Sequence, residues 1–176
     1  MSRVIRKSQT HSSGEAHALL AALMATELLR PSKCLWLVSP WISDLVLLDN
    51  SAETYDELRR WGPRPVRLAE ILVTLLSDSA NVVVGTTPDT HNSAFTQRIS
   101  SLAQDARRDD HLSIFVDERN ELHTKTIVAD DFALVGSMNL TFNGVHLREE
   151  YIELRIDQEF VSQARIDAYE SFGGVL

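Results

Sequence analysis

The stretch Glu121-Leu122-His123-Thr124-Lys125-Thr126-Ile127-Val128-Ala129-Asp130, continuing through Asp131-Phe132-Ala133-Leu134-Val135 to Gly136-Ser137-Met138-Asn139, decides the reading of this chain. Leu122 to Val128 alternates as a strand does, Ala129-Asp130-Asp131 makes a turn, and Phe132 to Val135 is a short apolar run, so a β-hairpin is predicted. Alternate residues of a strand share a face, which puts His123, Lys125 and Ile127 on one side and Leu122 and Thr124 on the other. A lysine beside a histidine is unusual for a core, because lysine is rarely buried without an anionic partner. The second strand delivers Gly-Ser-x-Asn, a small-residue turn with a hydroxyl, an amide and free backbone N–H groups. An imidazole near a cation and such donors suits phosphoryl transfer, where positioning and charge stabilisation do most of the catalysis.

Outward from the hairpin, strands and helices alternate. Ser12 or Ser13 is placed to cap a helix running to about Leu29, which Pro31 prevents from continuing, and residues 1–11 are expected to be a flexible N-terminus. Cys34 to Val38 and Val82 to Val84 read as buried strands, and Leu112 to Val116 and Tyr151 to Ile156 as further ones. Leu68, Ile71, Leu72, Leu75 and Leu76 recur at helical spacing, as do Phe95, Ile99, Leu102 and Ala106 in a helix over 93–108. Gln158 to Phe172 closes the chain as a helix. Residues 44–65 are polar, carry Gly62-Pro63, and read as a long loop with a helical turn at 53–61. One α/β domain over 1–176 is expected, a mixed β-sheet flanked by helices.

Composition narrows the class. The 176 residues carry 25 acidic and 17 basic side chains, a net charge of −8, which opposes broad electrostatic capture of nucleic acid or anionic membrane. The single cysteine, Cys34, has no disulfide or zinc partners, and there is no His-Glu-x-x-His, so no metal and no cofactor are expected. Ser137 lacks the glycine that a Gly-x-Ser-x-Gly elbow needs, because Asn139 stands there. The apolar run Ala18 to Ala25 is too short to span a bilayer and lacks a signal-peptide cleavage pattern, so a cytoplasmic protein without stable membrane association is expected. Trp36 reads as core, while Trp41 and Trp61 lie next to loops. His91 is read as part of a helix start capped by Asn92 or Ser93.

His-x-Lys-x4-Asp at 123–130 followed by Gly-Ser-x-Asn at 136–139 resembles the signature of the phospholipase D superfamily, the HKD motif, with six specified positions in seventeen residues. Thr141, Gly144 and Glu150 resemble that family's continuation, and Leu-Val-Ser-Pro-Trp-Ile at 37–42 its early strand and turn. Two departures stand out: five residues rather than six separate Asp130 from Gly136, and Arg148 occupies a position where relatives often carry asparagine. Ser-Pro-Trp-Ile-Ser-Asp at 39–44 and the polar loop after it also resemble phospholipase-D-like proteins of bacterial deazapurine DNA-modification clusters.

The resemblance implies a metal-independent, two-step displacement through a phosphohistidine. His123 would be nucleophile or acid; Lys125 and Asn139 would bind the non-bridging oxygens, with a further contact from Ser137. Asp130 would support the hairpin turn, and Glu150 would orient an imidazole. A general acid contributes ~10²–10⁴ in rate, yet there is one motif, and single-motif members of the family share one site across a homodimer with a histidine from each chain. The implied activity is an endonuclease acting on DNA, in a modification or phage-defence system with possible partner proteins. The alternatives are a phospholipid hydrolase or phosphatidyltransferase, and a catalytically idle nucleic-acid-recognition subunit. Residues 121–157 hold three cations, Lys125, Arg148 and Arg155, against seven acidic residues, so Arg59, Arg60, Arg64 and Arg67, or Arg98, Arg107 and Arg108, would have to supply a basic cleft.

Overall fold

Strand β2 (Cys34–Val38) is buried along its whole length and pairs on both edges. The computed structural model describes residues 2–7 and 14–176. Around β2 lie β1 (Ser2–Lys7), α1 (Glu15–Leu29), β3 (Val46–Asp49), β4 (Pro65–Arg67), α2 (Leu68–Ser77), β5 (Asn81–Thr86), α3 (Thr90–Asp105) and β6 (Leu112–Val116). The chain continues through β7 (Thr126–Val128), β8 (Ala133–Gly136), β9 (Glu150–Arg155) and α4 (Gln158–Phe172). The main sheet has the order β1-β9-β8-β7-β2-β5-β6, parallel from β2 to β6 and antiparallel from β2 to β1. This is the mixed sheet flanked by helices that the sequence pattern predicts.

Period-two alternation along β2 sorts the core into two layers. Leu35 and Leu37 join Val82, Val84, Ile127 and Leu134 against the apolar faces of α1, α2 and α3. Cys34, Trp36 and Val38 point the other way, with Val83, Val128 and Ala133, onto Phe160, Ala164, Ala168 and Phe172 of α4. Trp36 is fully buried, and its indole N–H donates to the Gly173 carbonyl at 2.8 Å. Burial leaves the Cys34 thiol pushed up to about 11, so it stays protonated as a core residue.

Two regions depart from expectation. Residues 2–7, expected within a flexible terminus, form β1, which pairs with β9 from Ser2↔Arg155 to Lys7↔Glu150 and buries Ile5. Its hydrophobic pattern is weak because backbone pairing, rather than a buried face, holds it. The expected cap at Ser12 or Ser13 lies outside the described residues, and Gly14 occupies the N-cap position of α1. Residues 44–65 are an ordered cover rather than a loop: β3 pairs with β4, and a 3₁₀ turn at Asp56–Trp61 packs against α2. That cover explains why α2 is buried all round, from Leu68 through Leu76, instead of along one stripe.

An ion network pins this cover and, with it, the segment that follows β2. Glu70, almost fully buried, takes Arg64 at 2.9 and 3.0 Å, Arg98 at 2.7 Å and the Arg67 backbone N–H at 3.0 Å. Asp44 accepts the Ala69 N–H at 2.9 Å and pairs with Arg98 Nε at 2.9 Å. Burial pushes the Glu70 carboxyl up, but the guanidiniums and the N–H outweigh it and hold it below its ordinary range. A depressed carboxyl contributes stability at neutral pH that is lost as pH falls through its folded value. Glu70→Gln should therefore lower urea stability at pH 7 by about 1–3 kcal/mol, the half-exposed arginines moderating the loss. In parallel urea titrations the gap between the proteins should narrow below about pH 4.

Candidate active site

Strand register gathers most of the motif at one end of the sheet. Val38 lies opposite Thr126, Thr126 opposite Val135, and Gly136 opposite Ile152, so the exits of β2 and β8 meet the entries of β7 and β9. His123 and Lys125 precede β7, Ser137 and Asn139 follow β8, and Glu150 opens β9. Asp130 is at the opposite end. Its carboxylate accepts the Lys33 N–H at 2.9 Å and pairs with Arg165 of α4 at 3.0 Å, while its own N–H donates to Ser32. Ser32 in turn donates to the buried Glu27. Asp130 thus locks the hairpin turn to the base of β2 and to α4, and touches none of the other motif side chains.

The predicted strand begins later than expected, at Thr126, so His123 and Lys125 sit on an extended lead-in. Its shape comes from Asp117, which the sequence reading missed. Asp117 donates its N–H to the Thr86 carbonyl at 2.8 Å, and its carboxylate accepts the N–H groups of Glu121 at 2.6 Å, Leu122 at 2.7 Å and Arg119 at 3.2 Å. Desolvation opposes ionisation, but these donors prevail and keep Asp117 below the ordinary carboxylate range. Lys125 Nζ donates to the His123 carbonyl at 2.9 Å. His123 is exposed and Lys125 half-buried, and both line a cleft of about 150 Å³ together with Pro40, Trp41, Thr87 and Asp89.

The donor-rich turn is more committed than the sequence suggests. The Ser137 N–H donates to the Tyr151 carbonyl at 2.9 Å, and Ser137 Oγ donates to Glu150 Oε2 at 2.5 Å while accepting the Tyr151 N–H at 3.0 Å. Glu150 therefore positions Ser137 within its own chain. Asn139 is 6% exposed, with its side-chain oxygen 3.2 Å from Ser39 Oγ, which also donates to the Trp41 carbonyl at 2.9 Å. Gly136 has φ +154°, and a Cβ there would strike the Tyr151 carbonyl; one at Gly144 would strike the Asn139 carbonyl. Both glycines are required by close backbone approach.

Asn92, expected as a helix cap, instead clamps the turn after β2: its side chain accepts the Ile42 N–H and donates to the Pro40 and Thr87 carbonyls, each at 2.9 Å. The cap of α3 is Asp89, not Asn92 or Ser93; it accepts the His91 N–H at 2.8 Å and the Trp41 indole N–H at 3.0 Å. The Thr-Pro-Asp sequence before α3 was a readable cap signal. The loop arginines are spent locally. Arg59 pairs with Asp56, Arg60 lies over Trp61, Arg64 binds Glu70, and Arg67 donates to the Asp44 carbonyl. Trp61 donates to Thr74 on α2 and belongs to the cover. Among the described residues, no group of three or more His, Cys, Asp or Glu could hold a metal ion, and no helix is long and apolar enough to cross a membrane.

No family model matches the sequence, and no curated protein matches it. Solved structures do. A polyphosphate kinase from Porphyromonas gingivalis superposes with TM-score 0.62 at 10% identity, covering 100% of this chain and 26% of its own. Nuc from Salmonella typhimurium, a phospholipase D family member, gives TM-score 0.60 at 11% identity, covering 97% of this chain and 93% of its own. TrmBL2, an archaeal chromatin protein with a novel mode of DNA binding, gives TM-score 0.54 at 10% identity, covering 99% and 54%. The chain thus spans about a quarter of the first, about half of the third and nearly all of Nuc. Its fold is phospholipase D-like.

If Asp117 shapes the approach to His123, Asp117→Ala should release that lead-in without unfolding the sheet. Amide exchange at Glu121 and Leu122 should accelerate roughly tenfold or more, with β2 and β5 unchanged. Unchanged exchange at those two amides would remove Asp117 from this role.

Proposed function

We propose that the chain is a metal-independent phosphodiesterase, an endonuclease acting on DNA, that assembles one active site from two copies. The carrying observation is the exposed His123 beside Lys125 in a cleft at the end of the sheet where Ser137 and Asn139 leave β8 and Glu150 opens β9, although none of these three lines the cleft itself. In the first step, one His123 nitrogen attacks phosphorus as the P–O bond to the leaving group breaks, giving a phosphohistidine. The His123 of a second copy gives its proton to the departing oxygen, then takes one from water, which attacks phosphorus and releases the P–N bond. Lys125 neutralises charge on the non-bridging oxygens, with Asn139 as a neutral donor, while Ser137, whose N–H and O–H are already given to Tyr151 and Glu150, holds the Glu150 carboxylate. Glu150 orients an imidazole with the carboxylate oxygen that Ser137 does not use. Asp130 acts on the turn alone, so its place among the catalytic residues is a structural one.

A polynucleotide substrate is favoured over a phospholipid by two features. Nuc matches this chain over nearly its whole length, which fits the short single-motif members that work as paired copies. TrmBL2, an archaeal chromatin protein, binds DNA and shares the fold. The whole chain then forms one domain and half an active site. A cytoplasmic setting and partner proteins of a modification or phage-defence system complete the reading.

The test is purified protein in chelator with single- and double-stranded DNA, RNA and phospholipid vesicles. Nucleic acid should be cleaved, with a loss of about 10³-fold or more in His123→Ala. Sedimentation should give twice the chain mass. Cleavage abolished by chelator, cleavage surviving in His123→Ala, or lipid turnover alone would overturn the reading.

A further inference from the structure

Next to the catalytic cleft lies a larger cavity, about 400 Å³, whose walls the catalytic reading does not use. It shares Trp41 and Asp89 with the cleft that holds His123 and Lys125, so one bound chain could run through both. Its size falls in the roughly 300–1,000 Å³ range of small-molecule sites. Two aromatic rings frame it, and both stay in water: Trp41 is 41% exposed and Phe142 57%.

Neither ring is loose. The Trp41 indole N–H is tied to Asp89 at 3.0 Å. Phe142 rests against the His146 ring at 4.7 Å, and His146 against His17 of α1 at 5.1 Å. Hydrogen-bonding groups line the same cavity: the Asp89 carboxylate, and Ser43 Oγ 2.9 Å from the His91 ring. Arg148, exposed, completes the rim with a fixed positive charge. Exposed flat rings held in place, polar acceptors in the same wall and an exposed cation match a nucleotide: a π-face, a base edge and a phosphate.

We infer that this cavity is a subsite for an unstacked base of a single-stranded polynucleotide, Trp41 and Phe142 stacking on it and Arg148 meeting its flanking phosphate. The inference rests on the proposed phosphodiesterase reading and names its substrate class. In a duplex the faces of a base are already covered by its neighbours, so stacking on side chains selects a strand with splayed bases. An acyl chain fits less well, because the Asp89 carboxylate and the Arg148 guanidinium would be stripped of water against it. Arg148, which departs from the family's usual asparagine, gains a role on this reading.

Binding is measured by fluorescence anisotropy in the His123→Ala background, so that no cleavage intervenes. The probes are a labelled single-stranded DNA octamer, its duplex and an abasic strand of equal length; anionic phospholipid vesicles are tested by co-sedimentation. Trp41→Ala and Phe142→Ala should each weaken octamer binding about tenfold, whereas Trp41→Phe and Phe142→Tyr should stay within about twofold. The abasic strand should not distinguish the variants. No detectable octamer binding, equal losses on the abasic strand, duplex preference or vesicle binding in place of the octamer would overturn the subsite. So would Phe142→Ala converting a dimer to a monomer, since Phe142 would then belong to an interface between copies. Cleavage that persists in His123→Ala would instead reject the catalytic reading, whatever the aromatic variants bind.

Discussion

Everything in this molecule hangs on β2, which is committed on both edges. Each of its peptide groups lies in a dry interior and must be paired, parallel to β5 on one side and antiparallel to β7 on the other. The change of direction at β2 brings two kinds of chain end together. The exit of β2 belongs to the parallel half and the entry of β7 to the hairpin half, and both lie at the same end of the sheet. The parallel bridge from Ile42 to Leu140, with Ser43 N–H on the Leu140 carbonyl at 2.8 Å, then stitches the segment beyond β2 to the segment beyond β8. Shift β2 by one residue and every side chain on it would change layers.

The contiguous motif is divided between two physical tasks by the length of β7. Three strand residues separate Lys125 from the turn that follows, enough to carry Asp130 to the other end of the sheet. There it meets Lys33, Arg165 and Ser32, groups that organise the base of the fold. Closeness in sequence therefore says little about shared chemistry within an extended segment. Asn139, distant from β2 in sequence, is by contrast beside Ser39.

Much of this was legible in the residues, and the failures have physical causes. The closing helix runs over the expected Gln158–Phe172, and the apolar spacing of Leu68 to Leu76 marks α2, because buried faces write themselves into hydrophobic periodicity. Strand β1 writes almost nothing, since Ile5 alone among its described side chains is buried, in an edge held by backbone hydrogen bonds. The 44–65 cover misled for a related reason: its polar look comes partly from Asp44 and Arg64, which are bound into the network around Glu70 rather than solvated. In the site, residue types were readable and partners were not. Glu150 is beside Ser137, and Arg59, Arg60, Arg64, Arg67 and Arg98, five of the arginines expected to supply a cleft, already have local partners.

The pairing of β1 with β9 joins residues nearly a full chain length apart. Loop-closure entropy makes such a contact slow to form, whereas the β7–β8 hairpin is local and fast. Folding should therefore lay down the strands around His123 early and secure the edge that holds Glu150 last. An incompletely folded chain would already display His123 and the Ser137–Glu150 contact while β9 still lacks its outer neighbour, so the sheet is sealed at that edge only in a late step of the folding reaction.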